Sequence, residues 1–199
     1  MKAAIILKDA NLINFKNEYD IIIGADRGAL HAINFGIIPD ISIGDFDSVT
    51  NDEYKLIESK SNKIIKLNPI KDTSDTNSAV SLVKNYDEIY ILGGIKGNRI
   101  EHLFANVIDL INNPNLKMLN ENSLFETITN NNYKVKEGYK FISIFAIEDS
   151  IISLYGFKYN LCNYLLKTND PLCISNEIIN NPKIDLIKGK LLIIYTHAD

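Results

Sequence analysis

Tryptophan is absent from this 199-residue chain, and cysteine, methionine and proline number only two, two and five. The two cysteines, Cys162 and Cys173, form no metal-binding or redox spacing. That excludes a zinc module and a disulfide-stapled scaffold, and it fits reduced, buried thiols in a cytoplasmic protein. Without tryptophan, stacking on a flat ligand falls to the ten tyrosines or the eight phenylalanines. Neither sign of charge dominates: 25 acidic residues against 21 basic give a formal net charge of -4. Nucleic-acid binding needs clustered Lys and Arg, so the chain carries no electrostatic footprint for it. No apolar run approaches the length of a membrane span. The first apolar run, residues 3–7, is too short for a signal core and reads as a buried strand. Internal repeats and long flexible linkers are also missing.

What is present is an apolar content of 46%, ordinary for a globular protein, arranged in two different patterns. Up to about Asn120, short apolar runs (3–7, 21–24, 41–44, 63–67, 88–92 and 116–119) alternate with helical stretches at 27–34, from Thr50 to Ser59, 75–85 and 100–112. Short apolar strands suit a parallel sheet covered on both faces. Thr50 with Glu53 forms a capping-box pattern, Gly36 stops the first helix, and Pro114 follows the last. Beyond Asn120 the helical period fades. Strand-like runs at 125–129, 133–135, 141–146, 151–154, 172–175, 184–187 and 191–195 are separated by Asn, Gly, Asp and Pro. That pattern predicts a β-sandwich or barrel, joined to the first part near residues 119–123.

Four polar clusters follow the early strands. Gly44-Asp45-Phe46-Asp47-Ser48 places two carboxylates one residue apart where a strand ends. Such a pair can converge on one hard cation, and Mg²⁺ takes one or two carboxylates plus substrate phosphates. Ligands of open α/β sheets bind at the carboxyl ends of the strands. Gly24-Ala25-Asp26-Arg27-Gly28-Ala29 puts an acid and a glycine at a helix start, suited to phosphate or to a capped turn. Lys71-Asp72-Thr73-Ser74-Asp75 offers a cation for phosphate and two acids, with Ser74 or Asp75 also suited to an N-cap. So many acids near one point repel unless cations neutralise them, which favours Mg²⁺ with a polyphosphate. In the fourth cluster, Gly93-Gly94-Ile95-Lys96-Gly97-Asn98-Arg99-Ile100-Glu101-His102, glycines and Lys96 can wrap phosphates while Arg99 neutralises charge. It is neither a P-loop nor a dinucleotide fingerprint, and His102 reads as a surface or packed imidazole.

In this order the clusters resemble the thiamine pyrophosphokinase family. The family pattern is an Ala-Asp-x-Gly-Ala element, Pro-Asp-x-x-x-Gly-Asp-Phe-Asp-Ser, Lys-Asp-x-Thr-Asp, and a Gly-Gly…Gly-Arg-x-Asp-His element. They stand here at residues 25–29, 39–48, 71–75 and 93–102. Gly156-Phe157-Lys158-Tyr159 with Leu161, and Ile174-Ser175-Asn176, resemble the family's later elements. Three departures are visible: Ser74 for Thr, Glu101 for Asp, and Asn98 as an extra loop residue.

The resemblance implies transfer of the terminal diphosphate of ATP to the hydroxyl of thiamine, giving thiamine diphosphate and AMP, with Mg²⁺ as cofactor. The fold expected is a Rossmann-like α/β domain over residues 1–120, mostly parallel with helices on both faces. An all-β sandwich over residues 121–199 would contribute to thiamine binding and dimerisation. Asp45, Asp47 and Asp75 are the expected Mg²⁺ ligands, with Asp72 in support and Arg99 completing the catalytic set. Asp26, Gly28, Lys71, Ser74, Gly94, Lys96, Glu101, His102, Ser175 and Asn176 are expected to bind substrate or ATP. The resemblance also implies a cytoplasmic homodimer with active sites at the subunit boundary. The other classes considered are a pyrophosphokinase acting on another heterocyclic alcohol such as a pterin, a D-x-D phosphohydrolase, and a non-catalytic nucleotide-binding homologue.

Overall fold

The computed structural model describes the chain apart from Asn14, Asn17, Lys71, Asp72, Gly97, Asn98, Ala198 and Asp199. It contains two compact units, Met1–Glu121 and Asn122–Asp199.

The first unit holds strands β1 (Lys2–Ile6), β2 (Ile21–Ala25), β3 (Ile41–Gly44), β4 (Ile64–Lys66), β5 (Glu88–Leu92) and β6 (Leu116–Leu119). Its helices are α1 (Arg27–Asn34), α2 (Asn51–Lys60), α3 (Asp75–Leu82) and α4 (Ile100–Asn112). The strands run parallel in the order β4-β3-β2-β1-β5-β6. In β1, Ala3 through Ile6 are all completely buried, so both faces of this central strand are covered. Every carboxyl end therefore lies on one edge of the sheet. The chain steps outward from β1 to β4 and then crosses to β5 on the other side of β1. That reversal makes the carboxyl ends of β1 and β5 the place where neighbouring loops diverge and leave a crevice.

Local chemistry explains the helix starts. Thr50 and Glu53 form a reciprocal capping box at α2, and the Ser74 hydroxyl accepts the Asn77 N–H at 3.0 Å to cap α3. Helix α1 has no side-chain cap: the Asp26 carboxylate does not turn back onto it. Helix α3 ends at Leu82, short of the expected 85, because Val83 is buried and its carbonyl accepts the Tyr86 N–H in a turn. Among the described residues, no helix is long and apolar enough to cross a membrane.

The second unit is antiparallel: β7 (Ser123–Ile128), β10 (Asn176–Thr196), β8 (Phe141–Phe157) and β9 (Leu161–Leu166) are neighbours in that order. Four short strands expected at 141–146, 151–154, 184–187 and 191–195 are in fact two long ones. Register shifts around Lys188 and Lys190 absorb the irregularity. Gly189, at φ 111, permits it, since a Cβ there would lie 2.1 Å from Ser150 Oγ. Phe141 and Ile142 pair with Thr196 and Tyr195 and also with Glu177 and Asn176, so the sheet folds back on itself. The runs 133–135 and 172–175 are not strands. The Tyr133 hydroxyl instead joins the buried Glu126 carboxylate and the Tyr195 hydroxyl, which fixes that segment by side-chain bonds. The Leu172 N–H is taken by Asp170 Oδ1 at 3.0 Å in a turn.

One ion pair fastens β5 to β6. Lys117 Nζ donates to Glu88 Oε1 at 2.6 Å and lies 5.1 Å from the Tyr90 ring centroid. The hydrogen bond from Lys117 holds the Glu88 carboxyl below its usual range, against the opposing effect of burial. Burial pushes the Lys117 ammonium down, but its bonds to Glu88 and Tyr90 outweigh that and raise it. A depressed carboxylate stabilises the fold above its unfolded value and loses that contribution as pH falls through its folded value. Glu88→Gln should therefore lower the melting temperature at neutral pH. Its deficit should shrink as pH falls below 4.5, the ordinary value for this carboxyl. A deficit unchanged by acidification would show that the pair contributes through packing alone.

Candidate active site

The acidic loops converge. One carboxylate oxygen from each of Asp26, Asp45 and Asp47 lies within 4.8 Å of the others. Two strained backbone positions produce this arrangement. Asp26 sits at φ 48 and Phe46 at φ 59, where side chains other than glycine are uncommon. Such a conformation costs about 1–2 kcal/mol. For Phe46, burial of the ring offsets it by roughly 2–3 kcal/mol. That ring packs edge-on to Tyr54 at 5.2 Å, in a cluster with Ala29, Leu30 and Ile57. Asp26 is held by its N–H, which donates to the Ile43 carbonyl at 2.8 Å. Gly44 permits this approach: a Cβ there would lie 3.0 Å from Asp26 Cα. The glycine of the Gly-Asp-Phe-Asp-Ser block thus serves Asp26, just past the end of the neighbouring strand β2.

Second contacts steady the loop. The Ser48 hydroxyl donates to Asp26 Oδ2 at 2.7 Å, and the Asp47 N–H donates to Asp45 Oδ1 at 3.2 Å. Arg27 donates to the Ser48 carbonyl at 2.6 Å and to Glu53 at 3.2 Å, tying the acidic loop to α2. The Thr50 N–H, with Arg27 adding to it, holds the Glu53 carboxyl below its usual range. Asp26 Oδ1 is buried and makes no hydrogen bond.

Asp26 also lines a cleft of about 370 Å³. The cleft lies over the carboxyl ends of β1, β2 and β5, with Ser74, Asp75, Lys96, Arg99 and His102 in its wall. Helices α3 and α4, which flank it, are bridged by Asn77 Nδ2, donating to Asp109 Oδ1 at 2.6 Å. Burial pushes the Asp109 carboxyl up, and the Asn77 bond partly offsets this. Lys96 pairs with Glu121, whose carboxyl it holds below the usual range. Arg99 has no ion-pair partner among the described residues.

Several expected site residues have other work. Gly28 is packed onto β1, where a Cβ would meet the Ile6 carbonyl oxygen at 2.1 Å. The Gly94 N–H donates to Asp9 Oδ1. Asp75 lines the cleft but is not in the acidic trio, and Asp26 is the third member. Glu101 is exposed and not in the cleft wall, 4.0 Å from His102 Nε2. Lys71 and Asp72 lie outside the described residues. In the second unit, Asn176 is 2% exposed. Its Oδ1 accepts the Tyr159 N–H at 3.0 Å and its Nδ2 donates to the Tyr159 carbonyl at 2.8 Å. Ser175, at φ 49, donates its N–H to Ser143 Oγ at 2.9 Å. The motif reading missed Asp9, Arg27 and Ser48 as supports. For Asp9 a signal existed: an acid just past the first strand.

Comparison with known proteins decides the family. Residues 12–119 match the family described as "Thiamin pyrophosphokinase, catalytic domain", and residues 129–191 match "Thiamin pyrophosphokinase, vitamin B1 binding domain". A thiamine pyrophosphokinase of Bacillus subtilis (strain 168) is 30% identical over 195 residues, covering 92% of this chain and 91% of the relative. The chain belongs to the thiamine pyrophosphokinase family. Its activity is accordingly thiamine pyrophosphokinase activity. The crystal structure of thiamine pyrophosphokinase from Bacillus subtilis superposes with a TM-score of 0.88 at 27% identity over 100% of both chains. That of thiamin pyrophosphokinase from Geobacillus thermodenitrificans gives 0.85 at 25% identity, over 100% of this chain and 99% of that one.

Asn176, expected to contact ligand, also clamps Tyr159 by both ends of its amide. Asn176→Ala in this thiamine pyrophosphokinase removes both hydrogen bonds to Tyr159, each contributing about 0.5–1.5 kcal/mol. Its melting temperature should fall by several degrees in a thermal scan. A wild-type melting temperature would show that the Tyr159 turn does not need this clamp.

Proposed function

We propose that the chain transfers the terminal diphosphate of ATP to the hydroxyl of thiamine, releasing AMP, with ATP and Mg²⁺ held by the first unit. The observation that carries this reading is that Asp26 belongs both to the acidic trio and to the cleft wall. The donor set fits Mg²⁺: three hard carboxylates, one with a buried oxygen that makes no hydrogen bond. Asp26, Asp45 and Asp47 would hold the ion, and Asp75, the other expected ligand, lines the cleft that Asp26 shares. Bound there, Mg²⁺ supplies charge neutralisation on the phosphate oxygens. The thiamine hydroxyl oxygen attacks the β-phosphorus, the bond from that phosphorus to the α,β-bridging oxygen breaks, and AMP leaves. The alcohol proton passes to a carboxylate of the acidic set. Arg99 binds phosphate oxygens in a bidentate fork, and Lys96 and Lys71 add point charges that stabilise the charge developing on them. Ser74 and His102 complete the cleft wall. We assign thiamine to the C-terminal unit, whose folded-back antiparallel sheet we class as a β-sandwich, and we class the parallel sheet as Rossmann-like. A cytoplasmic homodimer is consistent with the free thiols and with the family resemblance. Only one of the two thiols expected to be buried is so: Cys162 is exposed, while burial pushes the Cys173 thiol up to about 11.

The test is product analysis. With ATP, Mg²⁺ and thiamine, the protein should form AMP and thiamine diphosphate in equal amounts; release of ADP or inorganic phosphate instead would contradict the reaction. Asp47→Asn should keep the fold and lower kcat at least about a hundredfold, or about 2.7 kcal/mol at the transition state. Near-normal AMP release at saturating Mg²⁺ would remove Asp47 from the site.

A further inference from the structure

Resting on the assignment of Lys96 as a phosphate contact, we infer that Asp9 is a positioning residue: its carboxylate clamps the 93–96 loop and fixes where Lys96 leaves it at the cleft wall.

Asp9 is in the turn that follows β1. The turn is fixed at three points. The Leu7 N–H donates to the Leu92 carbonyl at 3.0 Å, extending the β1–β5 ladder. The Ala10 N–H donates to the Leu7 carbonyl at 3.1 Å, and His31 Nε2 donates to the Ala10 carbonyl at 2.8 Å. From this platform Asp9 reaches the loop after β5. Its Oδ1 accepts the Gly94 N–H at 2.7 Å and its Oδ2 accepts the Lys96 N–H at 3.0 Å. Asn106, 4% exposed on α4, donates to the Gly94 carbonyl at 3.3 Å from the other side.

The two glycines are what this docking requires. Gly93 sits at φ 91, where a Cβ would come within 2.7 Å of Asp9 Oδ1. Gly94 sits at φ 74, where a Cβ would come within 2.6 Å of Asn106 Nδ2. They therefore serve the Asp9 clamp. The N–H groups of residues 94 and 96 are spent on Asp9, so those two donors are not offered to phosphate. A carboxylate suits the clamp because both oxygens accept; an amide offers one acceptor and turns a donor toward the second N–H. A negative charge in a polyphosphate cleft is otherwise unfavourable, which makes a purely electrostatic role for Asp9 unsuitable.

The experiment is a double-mutant cycle on the full chain, with KM for ATP at saturating Mg²⁺, kcat and melting temperature for wild type, Asp9→Ala, Lys96→Ala and the double variant. Asp9→Ala should raise KM for ATP about tenfold, and Lys96→Ala should cost much less in its presence than alone, because contacts that act as one unit are not additive. Asp9→Asn, which keeps one acceptor, should fall between. Should Asp9→Ala fail to fold, Gly93→Ala presses on the same oxygen and should raise KM in the same way. A wild-type KM in Asp9→Ala, or strictly additive losses, overturns the inference even if the melting temperature falls. An unchanged KM in Lys96→Ala alone overturns the phosphate assignment beneath it.

Discussion

Three carboxylates brought within 4.8 Å of one another are the constraint that organises the N-terminal unit. Each pair of unit charges at that separation repels by about 1 kcal/mol in water and about 3.5 kcal/mol at an effective dielectric near 20. Left to itself the chain would separate them. It holds them with features that are costly elsewhere: positive φ at Asp26 and Phe46, a glycine where Asp26 crosses β3, and an arginine spent on the loop carbonyl of Ser48. Strain kept at one place by surrounding packing is the usual signature of a site built for a ligand.

The parallel sheet supplies the rigidity. The acidic loops leave β2 and β3, the glycine loop leaves β5, and the Asp9 turn leaves β1, all at one edge. Because β1 is buried on both faces, neither side of the cleft can drift without disturbing the core. Basic and acidic side chains thus stand in loops that leave neighbouring strands of one sheet, a few residues from its best-packed part. Such an arrangement suits the proposed diphosphate transfer. The chemistry needs little beyond fixed charge placed in advance.

Much of the first unit was legible in the sequence. The strands Ile41–Gly44, Glu88–Leu92 and Leu116–Leu119 and the helices Arg27–Asn34 and Ile100–Asn112 stand where apolar period, capping and stop signals put them. The second unit was less so. Period-two runs do not reveal whether a turn residue ends a strand or is swallowed as a bulge, as at Gly189. Tyr133, though apolar in pattern, is fixed by its hydroxyl. At the site, motif spacing found Asp45 and Asp47, but it could not tell that Asp26 and not Asp75 stands beside them. That depends on which strands are neighbours. The same gap hid Asp9, whose partners lie 85 and 87 residues away. Asn176 carries a role the motif did not announce: its amide bonds the backbone of Tyr159 in both directions.

The central proposal is that the acidic trio takes up Mg²⁺, which offsets the repulsion among its carboxylates. The most direct measurement is the melting temperature of wild type and Asp26→Asn, each in chelator and in excess Mg²⁺. Without metal, Asp26→Asn should melt above wild type, because one of three repelling charges is gone while the Ser48 hydrogen bond has an acceptor left. With Mg²⁺, wild type should gain stability and Asp26→Asn should gain almost none. An Asp26→Asn protein that melts below wild type in chelator and keeps the full Mg²⁺ gain would contradict the account.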